Sequence, residues 1–297
     1  MTDNIISTVT VLGSGIMGAG IAQVSAMGGM DTWLYDVNDA VLEKARSGIG
    51  GSLKKLAEKG RIAPDGADAI MARIHFTTDF EAAVIPTDFV IEAIPEKLDL
   101  KQKTFKELER LTRPGVTLGT NTSSLMISAI AEPVQDKGRV IGVHFFNPVP
   151  IMRLIEIVLG PATSPTALSA TEALARCMGK ETVRVRESPG FATSRINALI
   201  GLEAFRMLEA GIASAEDIDK ALKLGLNHPM GPFEMADLVG LDTRSSTIRY
   251  LHKTLGETFR PSPLMEKLVE EGRLGRKTGR GVYTYDAKGN RIPDAAG

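Results

Sequence analysis

Two residues in the stretch VIGVHFFNPVPIMRLIEIVLG, residues 140–160, are chemically out of place. His144 stands inside one short apolar run and Glu156 inside the next, so a titratable base and a carboxylate are spent on segments that otherwise read as buried sheet. Two readings meet these residues. In one, His144 is a core histidine with a satisfied ring and Glu156 is an edge-strand carboxylate facing solvent. In the other, the turn FNPVPIM folds the second strand back, and Glu156 accepts a hydrogen bond from one ring nitrogen of His144 while the other nitrogen acts as a base. A carboxylate so placed fixes the tautomer and stabilises the imidazolium that forms when a hydroxyl proton is removed.

A second constellation lies near the start, in VTVLGSGIMGAGIAQVSAMGGMDTWLYDVN. Gly13, Gly15 and Gly18 have the G-x-G-x-x-G spacing directly after an apolar strand and at the opening of a helix. The first glycine allows a tight turn, the second lets the backbone approach a pyrophosphate, and the third lets the helix pack on the strand. The helix opening at Ile16 and Met17 presents free N–H groups and its positive dipole end to the phosphates. Asp36 ends the next strand, where a carboxylate accepts hydrogen bonds from both ribose hydroxyls. Its charge repels a ribose 2'-phosphate, and Val37 and Asn38 offer no arginine to hold one, so NAD is expected over NADP. A hydride acceptor at this loop is what a base such as His144 would need. Glu96, in EAIPEKLDLK, falls on the carboxyl edge of the same expected sheet and reads equally as a ligand residue or as a solvated helix start.

The elements that must position these groups follow from the hydrophobic pattern. From Ser7 to about Ser188, short apolar runs alternate with amphipathic ones, the rhythm of a parallel sheet with helices on both faces. The expected strands are 8–12, 31–35, 88–94, 116–121, 140–146, 155–159 and 181–185. Between the second and third of them, a charged segment from Val41 to Ile74 is too long for a simple crossover and is expected to project as a helical hairpin. After SPG, residues 188–190, strand signals stop. Segments beginning at Phe191, Ser214, Gly231 and Ser262 have helix length and helix punctuation. The expected architecture is α/β: a Rossmann-type domain over 1–188 with a helical-hairpin insertion, then an all-helical domain over 189–297 for substrate and dimer contacts.

Composition narrows the partners. The 297 residues suit two domains, and 35 basic against 36 acidic residues give no electrostatic reason to expect nucleic acid or an anionic membrane. Cys177 is the only cysteine, which excludes an internal disulfide and a cysteine-rich zinc site and suits a reducing compartment. The opening MTDNIIST has neither a basic start nor an apolar run, so a cytoplasmic protein is expected. Asp237 and Asp242 sit off a shared helical face with no histidine beside them, so helix caps or interface contacts are expected there and no metal. Apolar residues on more than one face of ALIGLEAFRML and EMADLVGLDTRSSTI point to a self-associating surface.

The motifs LGSGIMGAGIA, EAIPEKLDLKQ, TNTSSL, GVHFFNPVPIMRLIEIV, ESPGFATSRI, HPMGPFEMADLVGLD and GRKTGRGVYTY span nearly the whole chain. Together they resemble the 3-hydroxyacyl-CoA dehydrogenases, and among them the short-chain 3-hydroxybutyryl-CoA dehydrogenases of bacteria. The resemblance implies oxidation of (S)-3-hydroxyacyl-CoA by NAD between two domains, in a homodimer joined through the C-terminal one. It implies that His144 is the base, that Glu156 is its partner, and that Ser123 binds the substrate oxygen near the nicotinamide. Glu96, Lys101, Asn147 and Lys277 would line the cofactor site with Ser123. Ser52 and Lys59 would contact coenzyme A, with Lys54 and Lys55 as neighbours; composition alone would make that lysine cluster a solvated helix face. One position departs from the family pattern: Ser194 precedes Arg195 where relatives carry asparagine, so the amide that helps position substrate carbonyls is replaced by one hydroxyl. Three other readings are weighed. Hydroxyacid dehydrogenases of the 6-phosphogluconate or 3-hydroxyisobutyrate kind use a lysine on the first long helix of the second domain, and no lysine lies between Lys180 and Lys220 here. An L-gulonate-type relative would leave Ser52 and Lys59 without work. A non-catalytic dinucleotide-binding protein would have no need of Ser123, His144 and Glu156 together.

Overall fold

The computed structural model describes residues 6–292; the first five residues of MTDNIIST, read above for a targeting signal, lie outside them. The chain divides between Ser188 and Pro189 into two units.

The first unit is built on an eight-stranded sheet. In chain order its elements are β1 (Thr8–Leu12), α1 (Ile16–Met27), β2 (Asp31–Tyr35), α2 (Asp39–Glu58), α3 (Gly66–Met71), β3 (Ile74–Thr77), α4 (Phe80–Val84), β4 (Phe89–Glu92), α5 (Leu98–Leu111), β5 (Thr117–Thr120), α6 (Ile127–Ile130), β6 (Val140–Phe145), β7 (Leu154–Leu159), α7 (Pro165–Cys177) and β8 (Glu181–Arg186). The strand order is β3-β2-β1-β4-β5-β6-β7-β8. The first six strands run parallel, whereas β7 pairs antiparallel with β6 and β8 pairs parallel with β7. The chain moves outward from β1 to β3 and then returns to β4 on the other side of β1. That reversal opens a crevice at the carboxyl ends of β1 and β4, where ligands bind in such sheets. Val9, Val11 and Leu12 of β1 are fully buried, as expected of a central strand covered on both faces. At the far edge β8 is largely exposed and alternates arginine with valine; Arg184 pairs with Glu172 of α7 at 2.6 Å. Charge on an outer strand discourages pairing with another chain.

One expectation needs correction here. The segment from Val41 to Ile74 does not project from the body: Leu42, Ala45, Ile49 and Leu53 of α2 form a buried stripe in the same core as Ile21 and Val24 of α1. The spacing of those four residues follows the 3.6-residue period, so one face of α2 is committed to the sheet domain. Its second helix, α3, spans only six residues, and the segment runs into β3, which pairs with β2.

The second unit consists of α8 (Thr193–Glu209), α9 (Ala215–Gly225), α10 (Pro232–Val239), α11 (Leu241–Leu255) and α12 (Pro263–Glu270), followed by a hairpin of β9 (Thr284–Tyr285) and β10 (Arg291–Ile292). The unit is therefore helical with a short β-hairpin at its end, a small departure from the all-helical expectation. The helix expected from Gly231 onward is two helices, because Gly240 adopts φ +100° and turns the chain between α10 and α11. The core gathers Leu202, Phe205, Phe233, Leu251, Phe259 and Met265, with the rings of Phe205 and Phe233 edge to face at 5.1 Å. Two buried aspartates fasten the C-terminal segment to this core. Asp219 accepts hydrogen bonds from the backbone of Phe233 and Glu234 and from the Tyr283 hydroxyl; Asp237 accepts from the backbone of Val282 and Tyr283 and from the Tyr285 hydroxyl. No helix among the described residues is long and apolar enough to cross a membrane.

Candidate active site

The glycine loop sits at the crevice between β1 and β4, and its three glycines answer to different demands. Gly13 has φ +93°, and a Cβ there would lie 2.7 Å from the carbonyl oxygen of Ala93 at the end of β4. A Cβ on Gly18 would lie 1.7 Å from the oxygen of Gly13, so α1 crosses β1 only because this residue has no side chain. At Gly15 a Cβ would meet nothing within 4 Å, so the protein's own packing leaves that glycine unexplained. Gly15 caps α1 with no side-chain hydrogen bond, and the first turn carries no acidic residue, which leaves its positive end facing outward. Ile16, the first helical residue, is exposed beside it, while Met17 and Gly18 follow in the same turn. Asp36 accepts hydrogen bonds from the backbone N–H and the hydroxyl of Ser14, at 2.7 and 2.9 Å through one oxygen. The next residue, Val37, is exposed and apolar. An uncapped helix start, an approachable glycine, an anchored acid and an apolar surface fit the pyrophosphate, ribose and base of a dinucleotide.

A buried ion-pair chain shapes the neighbouring loop. Lys101 of α5 is wholly buried and donates to Glu92 at 2.6 Å, reaches the Ile94 carbonyl at 3.4 Å, and pairs with Glu96 at 3.2 Å. Glu92 also accepts from the Thr120 hydroxyl and the Ile94 N–H, at 2.7 and 2.8 Å. Burial raises its pKa against the pull of these partners. Burial also pushes Glu96 upward, but Lys101 and the hydroxyls of Thr122 and Ser124 outweigh it and hold that carboxyl below the usual range. Glu96 accepts from the Thr122 hydroxyl, from the backbone N–H of Ser123 and Ser124, and from the Ser124 hydroxyl. One carboxylate thus moulds the TSS turn and presents Ser123 as an exposed hydroxyl. Lys101 has no surface left for a ligand; it acts here through Glu96. Sequence reasoning passed over Glu92, although a carboxylate inside the apolar run FVIEAI was a signal of the same kind as His144.

His144 and Glu156 stand directly opposite in the antiparallel β6–β7 register. Their side chains share a face, and Nδ1 of His144 lies 2.7 Å from the Glu156 carboxylate, with both groups buried. This is the bond of the second of the two readings given above. The His144 ring also contacts the Phe146 ring at 4.6 Å. Two unforeseen residues brace the surrounding turn. Asn121 accepts from the Phe145 N–H at 2.8 Å, tying the end of β5 to the residue after His144. Lys180, buried with no carboxylate partner among the described residues, donates to the carbonyls of Val149 and Met152 at 2.6 Å each. Burial lowers its pKa.

A cleft of about 410 Å³ in the first unit joins several of these parts. One wall is Ser14, Gly15 and Ile16, a second is the α2 face carrying Lys44, Gly48 and Ser52, and the third is the turn from Asn147 to Pro150. Ser52, Gly15, Ile16 and Asn147 are therefore brought together. Lys59 is not on the cleft; it is the residue that closes α2, and it is exposed, as are Lys54 and Lys55. Ser194 and Lys277 belong to the second unit. Ser194 lines a separate cavity at the start of α8, and Lys277 donates to both oxygens of Asp242 at 2.6 and 2.7 Å.

Both units match known proteins. Residues 8–188 match the family described as 3-hydroxyacyl-CoA dehydrogenase, NAD binding domain, and residues 190–285 match the 3-hydroxyacyl-CoA dehydrogenase C-terminal domain. The chain is 43% identical over 288 residues to a probable 3-hydroxyacyl-CoA dehydrogenase of Caenorhabditis elegans, covering 94% of this chain and 93% of that one. It is 42% identical to a probable 3-hydroxybutyryl-CoA dehydrogenase of Bacillus subtilis, covering 95% and 99%. Among solved structures, the (S)-3-hydroxybutyryl-CoA dehydrogenase of Ralstonia eutropha superposes with a TM-score of 0.91 at 41% identity, over 95% of this chain and all of that one. A mycobacterial 3-hydroxyisobutyrate dehydrogenase, at 12% identity and a TM-score of 0.56, shares the fold alone. On matches that span both of its units, the chain belongs to the 3-hydroxyacyl-CoA dehydrogenase family.

Proposed function

We propose that this NAD-dependent dehydrogenase acts on short-chain (S)-3-hydroxyacyl-CoA, such as 3-hydroxybutyryl-CoA, with His144 as the proton-transferring residue and Glu156 as its partner. The observation that carries the assignment of roles is the buried 2.7 Å bond between Nδ1 of His144 and Glu156. That bond keeps the Nδ1 proton on the Glu156 side and leaves Nε2 as the basic atom. His144 takes the C3 hydroxyl proton through Nε2, and the Glu156 charge stabilises the imidazolium that results. In the reverse direction the imidazolium returns that proton to the ketone oxygen. NAD, held by the loop from Gly13 to Gly18 and by Asp36, supplies the acceptor for the C3 hydride. Ser123, presented by Glu96, hydrogen-bonds the substrate oxygen, and Ser194 adds a hydroxyl to the same task. Ser52 on the cleft and the exposed Lys59 take the coenzyme A portion, the lysine as the cation for its phosphates. Asn147 and Lys277 complete the cofactor contacts.

A homodimer through the second unit fits the exposed Ile196, Ile212, Leu224, Leu226, Leu238 and Val239 there. A cytoplasmic setting suits a chain with one cysteine. The test of the activity is NADH oxidation with acetoacetyl-CoA, run beside NADPH and beside free acetoacetate. Rapid turnover with NADH and the thioester alone is expected. Equal rates with free acetoacetate would refute the coenzyme A assignment, and equal rates with NADPH would refute the reading of Asp36.

A further inference from the structure

The second unit contains a charge that no carboxylate among the described residues neutralises. Arg244 of α11 is buried, 5% exposed, and pairs with no carboxylate among the described residues. Its Nη1 donates to the backbone oxygen of Asn197 at 3.1 Å and its Nη2 to the Asn197 side-chain oxygen at 3.4 Å. Its Nε is buried with no hydrogen-bond partner among the described residues. Burial alone brings the pKa of this guanidinium down to about 10. A buried charge without a counter-charge is costly, and so is a buried N–H without an acceptor.

The arginine is nevertheless seated by the sequence around it. Gly201 lies in the interior of α8, where glycine weakens a helix. A Cβ at that position would stand 2.4 Å from Nη1 of Arg244, so the missing side chain is the room the guanidinium occupies. Arg244 lines a cavity of about 190 Å³ together with Ser194, Asn197, Val239, Thr247 and Ile248. Val239 and Ile248 make one side of it apolar. Thr247 gives its proton to the Thr243 carbonyl, so the donors left to meet a ligand are the guanidinium, the Asn197 amide and the Ser194 hydroxyl. A planar fork of N–H donors beside short apolar walls matches a carboxylate on an aliphatic chain.

We infer that this cavity is a carboxylate subsite, and that the carboxylate it takes is the far end of an acyl chain, so that the enzyme accepts 3-hydroxyacyl thioesters ending in a carboxylate. The choice of the acyl end over a free anion rests on the function proposed above, because Ser194, in the same cavity, is the residue assigned there to the substrate oxygen. Arg244 is then a specificity-determining residue, and Gly201 is what admits it.

The test uses the full-length enzyme with NADH and pairs of 3-ketoacyl-CoA thioesters of equal chain length, one member ending in methyl and the other in carboxylate. In the unaltered enzyme kcat/KM for the carboxylate member should exceed that for the methyl member by about tenfold or more. Arg244→Leu should lower that ratio by about ten- to a hundredfold, and Arg244→Lys should keep part of it. Gly201→Ala, which evicts the guanidinium from its seat, should lower the ratio while Arg244 remains in the chain. If Arg244→Leu fails to fold, the ratio in the unaltered enzyme decides. A ratio near or below one overturns the subsite, whereas no turnover even of acetoacetyl-CoA overturns the proposed activity instead. Titration with acetate and glutarate separates the two sources of a carboxylate: stabilisation lost in Arg244→Leu, without any thioester preference, overturns the acyl-chain assignment. Conversion of an assembled form to monomers by Arg244→Leu would mean that a second copy of the chain supplies the counter-charge, which also overturns it.

Discussion

Alanine placed in turn at Gly13, Gly15 and Gly18 separates what the fold requires from what a ligand requires. At Gly18 the new methyl would overlap the Gly13 carbonyl at 1.7 Å, and at Gly13 it would meet the Ala93 carbonyl at 2.7 Å with φ at +93°. Both changes force the backbone to move, and at Gly13 the left-handed conformation adds about 1–2 kcal/mol of strain. Gly15 differs on both counts: its φ of -62° and ψ of -174° suit any residue, and a Cβ would meet nothing within 4 Å. With no clash, the reduced freedom of the unfolded chain favours Gly15→Ala by about 0.4–1 kcal/mol, and the poorer capping of α1 by alanine offsets a similar amount, so stability should change little. The same methyl would hold a pyrophosphate away from the backbone N–H groups of α1. Loss of one charge-assisted hydrogen bond, about 1.5–3 kcal/mol, weakens binding about ten- to a hundredfold. Thermal unfolding and a fluorescence titration with NADH measure the two quantities on the same sample. Gly15→Ala should unfold within a few degrees of the unaltered protein, well above the other two variants, yet bind NADH poorly. Unchanged NADH affinity would refute the argument, because the open space at Gly15 would then not be the cofactor's.

Three further predictions concern the charged groups. Glu156→Gln preserves the shape of the His144 contact but removes a charge on the order of 4 Å from the imidazolium, about 4 kcal/mol at an effective dielectric constant of ~20. Turnover should fall about a thousandfold with KM little changed, and a kcat within tenfold of the unaltered enzyme would remove Glu156 from the mechanism. Lys101→Met leaves Glu92 buried without its cation and should cost about 3–5 kcal/mol in denaturant unfolding. Adding Glu92→Gln should recover part of that loss, and no recovery would show that the two residues are not coupled. Because its partners hold the Glu96 carboxyl below the ordinary range, its contribution to stability is complete above the ordinary carboxylate pKa and is lost as pH falls through the lowered value. The thermal midpoints of the unaltered protein and Glu96→Gln should therefore differ near neutrality and converge in acid; a constant gap across the range would contradict the shift.

Much of this architecture is legible in the chain because its signals are local. The strand–glycine–helix segment ending at Asp36 declares the crevice by itself, and the turn between His144 and Glu156 is short enough to let two apolar runs fold back on one another. β3 escapes notice because IHFT is four residues long and only Ile74 is fully buried, so it has neither the length nor the apolar run of its neighbours. The break at Gly240 hides within a continuous helical pattern, because nothing nearby distinguishes a glycine that turns the chain from one a helix tolerates. Partnerships across sequence distance are the least legible. Glu92 and Lys101 are nine residues apart on a strand and a helix, Lys180 reaches back 31 residues to the Val149 carbonyl, and Gly201 explains itself only once Arg244 lies over it.

The antiparallel step from β6 to β7 carries a rule about which changes in length the enzyme can survive. His144 and Glu156 meet because they occupy one rung of a hairpin ladder, and successive residues of a strand point to opposite faces. A loop between them may lengthen or shorten freely so long as the two strands keep their register. A shift of one residue within either strand turns the carboxylate to the opposite side of the sheet while leaving the hydrophobic content of both strands nearly unaltered. Drift in this hairpin is thus confined to the loop: an odd slip turns the carboxylate to the other face and an even slip carries it about 7 Å along the strand, and either silences the dyad without unfolding the sheet.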